Sequence, residues 1–138
     1  MNIAAVVARL LLGIMFTVAG ATAFLITTPP PLPGLAGTFN DAFTHSHWSM
    51  FVGGAQLVIG VLFLANRFVP VALIMLAAFL YNSFAFHITM MPSGLFGPVI
   101  VTPLWLLVSL QYRPLFAPLF AARYDATVND ARASSSVS

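Results

Sequence analysis

The sequence contains no cysteine, no glutamate and no lysine, and only 6% of its 138 residues are charged. Without cysteine there is no disulfide framework, no thiol nucleophile and no thiolate metal site. Without lysine there is no Walker-type phosphate loop, and without glutamate the acidic residues reduce to three aspartates, none of them paired in sequence. A soluble domain covers its surface with roughly 25% charged residues, so this chain cannot present an ordinary aqueous exterior. Disorder is excluded by the same numbers, because 60% of the residues are hydrophobic and the mean hydropathy is +0.99. The formal net charge of +2 comes from five scattered arginines against three aspartates, with no basic run or stripe, and this argues against nucleic acid as a partner.

What the sequence has in abundance is apolar length. A hydrocarbon core roughly 30 Å thick needs about 20 residues at 1.5 Å rise each, and four such segments are present within a single domain spanning residues 1–122. The first runs over 3–26 and stops at Thr27, Thr28 and the run Pro29, Pro30, Pro31, which cannot continue a helix. The second covers 48–65 and ends at Asn66 and Arg67; the third covers 69–91, with Pro70 in its first turn, where a missing N–H is harmless. The fourth covers 95–112, interrupted by Pro98 and Pro103, and a kink is expected there. The expected fold is all-α, a four-helix transmembrane bundle. Arg9, the apolar stretch and the small residues Ala21, Thr22 and Ala23 also mimic a secretory signal, but the stretch is long enough to span.

Arginine placement sets the expected orientation. With a cytoplasmic N-terminus, Arg9, Arg67, Arg113, Arg123 and Arg132 all fall on the cytoplasmic side, and the loops at 27–47 and 92–97 contain none. Both termini are therefore expected inside. In the long outer loop, Leu35, Phe39 and Phe43 recur every four residues with Thr38, Asn40 and Asp41 between them. That spacing predicts a short interfacial or re-entrant helix on the outer end of the bundle; a Pro-rich irregular loop is the alternative. The apolar stretch 114–122 is too short to span and is expected to lie along the inner surface. The polar, Ser-rich residues 123–138 are expected to form a mobile tail.

Polar residues inside spans are the informative ones, because they are costly in lipid and tend to face other helices. Arg9, Gly13, Phe16 and Gly20 share one face of span one; Gly53, Gln56 and Gly60 share one face of span two. Small residues at such spacing let backbones approach closely, so the two stripes are expected to face each other as helix-packing surfaces. Arg9 lies roughly 9 Å from the inner end of its span and Gln56 roughly 13 Å from the inner end of the next. Arg9 can snorkel to cytoplasmic headgroups, or it can donate into the bundle toward Gln56 and span carbonyls. Span three carries Asn82, Ser83 and His87. Ser83 and His87 share a face, while Asn82 stands about 140° away from His87. These side chains either satisfy neighbouring helices and the outer loop, or line a polar pocket under that loop for a ligand headgroup such as a quinone carbonyl.

His45 and His47 stand on the same outer side as His87 and are metal candidates with it. Against that, residues two apart on a helix diverge, and the only carboxylate nearby is Asp41. Haem ligation is disfavoured because the spans offer no second histidine. No catalytic constellation is visible, and the thirteen phenylalanines read as packed and lipid-facing surface.

The passage from Gly53 to Pro92, GGAQLVIGVLFLANRFVPVALIMLAAFLYNSFAFHITMMP, resembles the central part of the DoxX-like family of small bacterial four-span membrane proteins. The similarity lies in Gly60 to Asn66-Arg67, the Phe68-Val69-Pro70 entry to span three, and Asn82 followed five residues later by His87. Arg9 with Gly13 and the ending from Tyr112-Arg113 to Leu119-Phe120 are also similar, so the resemblance covers about residues 5–120. It departs at Gln56, where the family pattern carries a glutamate; a neutral acceptor there weakens any proton-handling role. The resemblance implies a cytoplasmic-membrane location and a membrane partner role beside redox enzymes, the family name coming from a subunit of a thiosulfate:quinone oxidoreductase. The expected function is a non-catalytic accessory or assembly subunit of a larger redox or energy-converting membrane complex, or a homo-oligomer. The alternative is a quinone-binding component using Asn82, His87 and Gln56, and the ligands to expect are quinone or bound lipid. A carrier or channel is disfavoured by the lack of inverted repeats and charged pore rings.

Overall fold

The computed structural model describes residues 1–121 and Ser135; Arg123, Arg132 and, Ser135 apart, the expected tail at 123–138 lie outside the described residues. The described residues form helices and no strands. In chain order these are α1 Ile3–Leu25, α2 Gly34–His45, α3 Trp48–Ala65, α4 Val69–Thr89, α5 Phe96–Gln111 and the single turn α6 Arg113–Phe116. Short 3-10 turns, Pro92–Gly94 and Ala117–Phe120, precede α5 and follow α6. Four helices are long and apolar enough to cross a membrane: α1, α3, α4, and α5 with the turn before it. The chain is a multi-pass all-α membrane bundle.

The ends of each span follow from local chemistry. Asn2 caps α1, its side chain accepting the N–H of Ala5 at 2.8 Å. Ala65 is followed by Asn66 in the left-handed conformation (φ 53°), and the N–H of Arg67 reaches back to the carbonyl of Leu62 at 3.2 Å. That six-to-one bond closes the end of α3 and turns the chain directly into α4. Pro98 falls in the first turn of α5, where it has no helical partner to lose, so it does not interrupt the span. Pro103 lies inside the helix on an exposed side. In the outer loop, the alternative of an irregular Pro-rich segment is replaced by α2, which starts after Pro33 with Gly34 at φ 62° and rests Phe39 on Phe86 of α4, ring centroids 5.4 Å apart.

Around the bundle, α1 packs on α3, α3 on α4, α4 on α5, and α5 returns to α1. The α1–α3 seam is the tightest, and glycines make it so. A Cβ on Gly20 would stand 2.6 Å from the carbonyl oxygen of Gly53, and one on Gly60 would stand 2.5 Å from the backbone nitrogen of Thr17 and 2.9 Å from the Gly13 carbonyl oxygen. The antiparallel register therefore pairs Gly20 with Gly53 and Gly13 with Gly60, and the glycines let backbone and the side chains of Leu57 and Leu64 press directly onto the facing helix. Leu12, Phe16, Ile59, Phe63, Leu73, Leu76 and Val108 fill the interior, and Phe16 meets Phe79 of α4 edge-on at 5.2 Å. Outward-facing positions such as Ile14, Val18, Val61, Ile74 and Ile100 are exposed and apolar, as a surface in contact with lipid requires.

Candidate functional site

Of the polar residues in the spans, Arg9 is the buried one, 8% exposed. Its Nη1 donates to the carbonyl oxygen of Phe63 in the last turn of α3. The C-terminal end of a helix carries its partial negative charge, so a cation is favoured there, and the Phe63 carbonyl accepts from Arg9 beside the N–H of Asn66. Its Nε has no hydrogen-bond partner among the described residues. Gln56 stands two turns earlier in α3, about 10 Å from Phe63 along the axis, and belongs to a different environment. Arg9 thus closes the Arg67 end of the α1–α3 pair, while Gln56 faces the opposite half of the bundle.

That opposite half holds the candidate site. As the chain pair α3–α4 leaves its tight turn at Asn66–Phe68, the two helices leave a groove roofed by α2. It encloses about 520 Å³ between Phe39, Asn40 and Phe43 of α2, Trp48 and Val52 of α3, and Phe79, Asn82, Ser83, Phe86 and His87 of α4. A second cavity of about 200 Å³ lies toward the bundle axis, lined by Phe16, Gln56, Phe79, Ser83, His87 and Gly97 among others. The two share Phe79, Ser83 and His87 as a common wall. The structure therefore brings Gln56, Ser83 and His87 together at the inner cavity and sets Asn82, an exposed residue, at the rim of the outer one.

The polar groups are held in particular states. His87 engages the carbonyl oxygen of Met91 through Nδ1 at 3.1 Å. A carbonyl only accepts, so Nδ1 carries the hydrogen, and Nε2 of the neutral ring is left as an acceptor. The 3-10 turn Pro92–Gly94 cradles the ring: a Cβ on Gly94 would stand 2.5 Å from Nδ1. Only glycine leaves space for the imidazole there. Asn82 donates through Nδ2 to the carbonyl of Ala78 one turn earlier at 2.8 Å, which leaves its side-chain oxygen free to accept. Gln56 and Ser83 make no side-chain hydrogen bond among the described residues. An aromatic, apolar enclosure with a few convergent polar groups is what small-molecule sites share.

His45 and His47 line a separate recess with Asp41, Thr44 and the Thr27–Pro29 segment. His45 turns its Nδ1 to the carbonyl of Asp41 at 2.7 Å, and His87 is not part of that recess. No cluster of three metal-ligating side chains forms among the described residues. The aromatic members of the groove, Phe39, Phe43, Phe79, Phe86 and Trp48, were not signalled as a site by sequence. Their only trace there is the four-residue recurrence of Phe39 and Phe43, which marks α2 as amphipathic. No family model, curated protein or solved structure matches this chain.

Proposed function

We propose that this chain is a DoxX-like, non-catalytic accessory subunit that packs its spans against other helices of a larger membrane complex of redox or energy-converting type, in the bacterial cytoplasmic membrane with both termini cytoplasmic. The observation that carries the reading is the outward face of α4. Tyr81 is 77% exposed there, and Asn82 is exposed beside it. Both lie near the middle of a 21-residue span, flanked by the exposed small residues Ala78 and Ala85. The Tyr81 hydroxyl has no hydrogen bond among the described residues. Polar groups at that depth normally face protein, and small residues around them let a second helix approach. Photo-crosslinkers at positions 78 and 85, installed in cells, are expected to capture a protein partner, whereas one at position 14 on α1 captures none. Recovery of the chain as a free monomer after gentle solubilisation, with no adduct from either position, would defeat the reading. Orientation is tested separately by a reporter fused after Ser138, expected to be cytoplasmic.

A second reading is favoured by the groove under α2: a site for a ring-bearing amphiphile, such as a quinone, with its apolar body against Phe79, Phe86 and Trp48. The Gln56 amide N–H and the Ser83 hydroxyl would donate to the oxygens of the head, and Nε2 of His87 would accept from a hydroxyl of its reduced, quinol form. Quinol titration of the purified protein under reducing conditions tests it, with binding expected to weaken about tenfold in His87→Ala through loss of that hydrogen bond. Unchanged affinity in that variant counts against the site.

A further inference from the structure

A further cavity lies at the other end, where Arg67 and Arg113 stand. A groove of about 610 Å³ runs between α4 and α5 and is floored by Leu73, Ile74, Ala77 and Leu110, with α6 and the turn Ala117–Phe120 lying across its end. Trp105 stands in its wall with the indole N–H held by the carbonyl of Leu73 at 2.9 Å, so that polar atom is already engaged and fixes the wall in place. Apart from Trp105, the polar residues lining the groove are Ser109 and Arg113. Among the described residues the Ser109 hydroxyl has no hydrogen-bond partner, and Arg113, exposed at the mouth, forms no ion pair.

We infer that this groove is a binding site for one anionic glycerophospholipid, an acyl chain lying along the α4–α5 floor and the phosphate meeting the Arg113 guanidinium. The charge pattern selects this occupant. The floor is apolar along its length and can hold hydrocarbon, but a wholly apolar occupant would offer the guanidinium at its rim no acceptor. Arginine presents a planar fork that matches phosphate oxygens. Arg113 immediately follows the last turn of a span, which places it at headgroup depth. The short α6 and the following 3-10 turn carry exposed Leu115, Leu119 and Phe120, so the cover itself lies in the interface and keeps the acyl chain from leaving along the helix axis.

The test is native mass spectrometry of the full-length protein released from detergent with equal amounts of phosphatidylglycerol and phosphatidylcholine of identical chains. Wild type is expected to retain phosphatidylglycerol about fivefold over phosphatidylcholine, the increment of one basic residue at a membrane surface. Arg113→Gln, a change at an exposed position, is expected to abolish the preference, and Arg67→Gln to leave it intact. Equal retention of the two lipids by wild type overturns the inference. So does loss of the preference in Arg67→Gln to the same extent, since that reports diffuse surface charge. Lipid-free dimers in place of lipid adducts overturn it in favour of a second copy of the chain.

Discussion

The guanidinium of Arg9 near the start of α1 donates to the carbonyl of Phe63 in the last turn of α3, across 54 residues of sequence. One charge thereby joins the beginning of the first span to the end of the second, where the dipole of α3 is negative, and the Phe63 carbonyl accepts it beside the N–H of Asn66 at 3.3 Å. Arg9→Met keeps the length and removes the donor. It is expected to lower stability by about 1.5–3 kcal/mol, the range for a hydrogen bond to a charged group, measured by unfolding in mixed micelles. Arg9→Lys, with a point charge in place of the fork, should recover part of the loss. Equal stability of wild type and Arg9→Met would show that the contact contributes nothing.

The glycine seam makes a sharper contrast. Gly60→Ala places a methyl carbon 2.5 Å from the Thr17 backbone nitrogen, and backbone cannot move aside as a flexible side chain can. The helices must separate, at about 1–3 kcal/mol by the usual cost of overpacking. At Gly54 an added Cβ meets nothing within 4 Å, so Gly54→Ala on the same helix is expected to be neutral or stabilising by up to about 1 kcal/mol through helix propensity. Thermal unfolding of the two variants side by side decides the matter; equal losses would place the seam elsewhere.

Trp105 ties α5 to α4 through the Leu73 carbonyl. Trp105→Phe removes the donor and keeps an aromatic ring, with an expected cost of about 0.6–1.7 kcal/mol, between the average and the maximum for side-chain hydrogen bonds in a membrane bundle. Because that bond fixes the wall of the lipid groove, the same variant should also broaden the range of lipids retained, read in the native mass spectrum. A variant with wild-type stability and wild-type lipid selectivity would rule the tie out as a fixing device.

The roof of the outer groove rests on aromatic contacts: Phe39 lies 5.8 Å from Phe43 and 5.4 Å from Phe86. Phe86→Ala removes the one of these rings that belongs to a span. Amide exchange in Gly34–His45 is expected to accelerate about tenfold, consistent with about 0.5–1.5 kcal/mol for an aromatic pair, while exchange in α1 stays unchanged. Uniform acceleration through the bundle would mean that α2 does not open as a separate unit.

Much of this architecture was legible because its causes are local or compositional. Span lengths follow from hydrocarbon thickness, and Thr27 to Pro31 stop α1 whatever surrounds them. The glycine faces of α1 and α3 were visible as spacing, since four-residue periodicity is a property of a single helix. The partner of Arg9 was not legible: an arginine at that depth reaches several carbonyls and Gln56 by length alone. The antiparallel register that aligns Gly13 with Gly60 sets Phe63, and not Gln56, beside the guanidinium. Likewise, Gln56 and His87 meet at one cavity only because α3 and α4 sit side by side around the bundle.

By itself, then, the chain's composition and periodicity determined that it is helical, that four segments can cross a membrane, and which helix faces carry small or polar groups. These are properties of single segments in a given solvent. Tertiary structure alone decided which carbonyl Arg9 holds, which polar groups share a cavity, and that Arg113 overlooks a groove formed by α4 and α5. Each of these depends on the relative rotation and register of two helices, which the packing of both surfaces fixes together and neither sequence segment encodes alone.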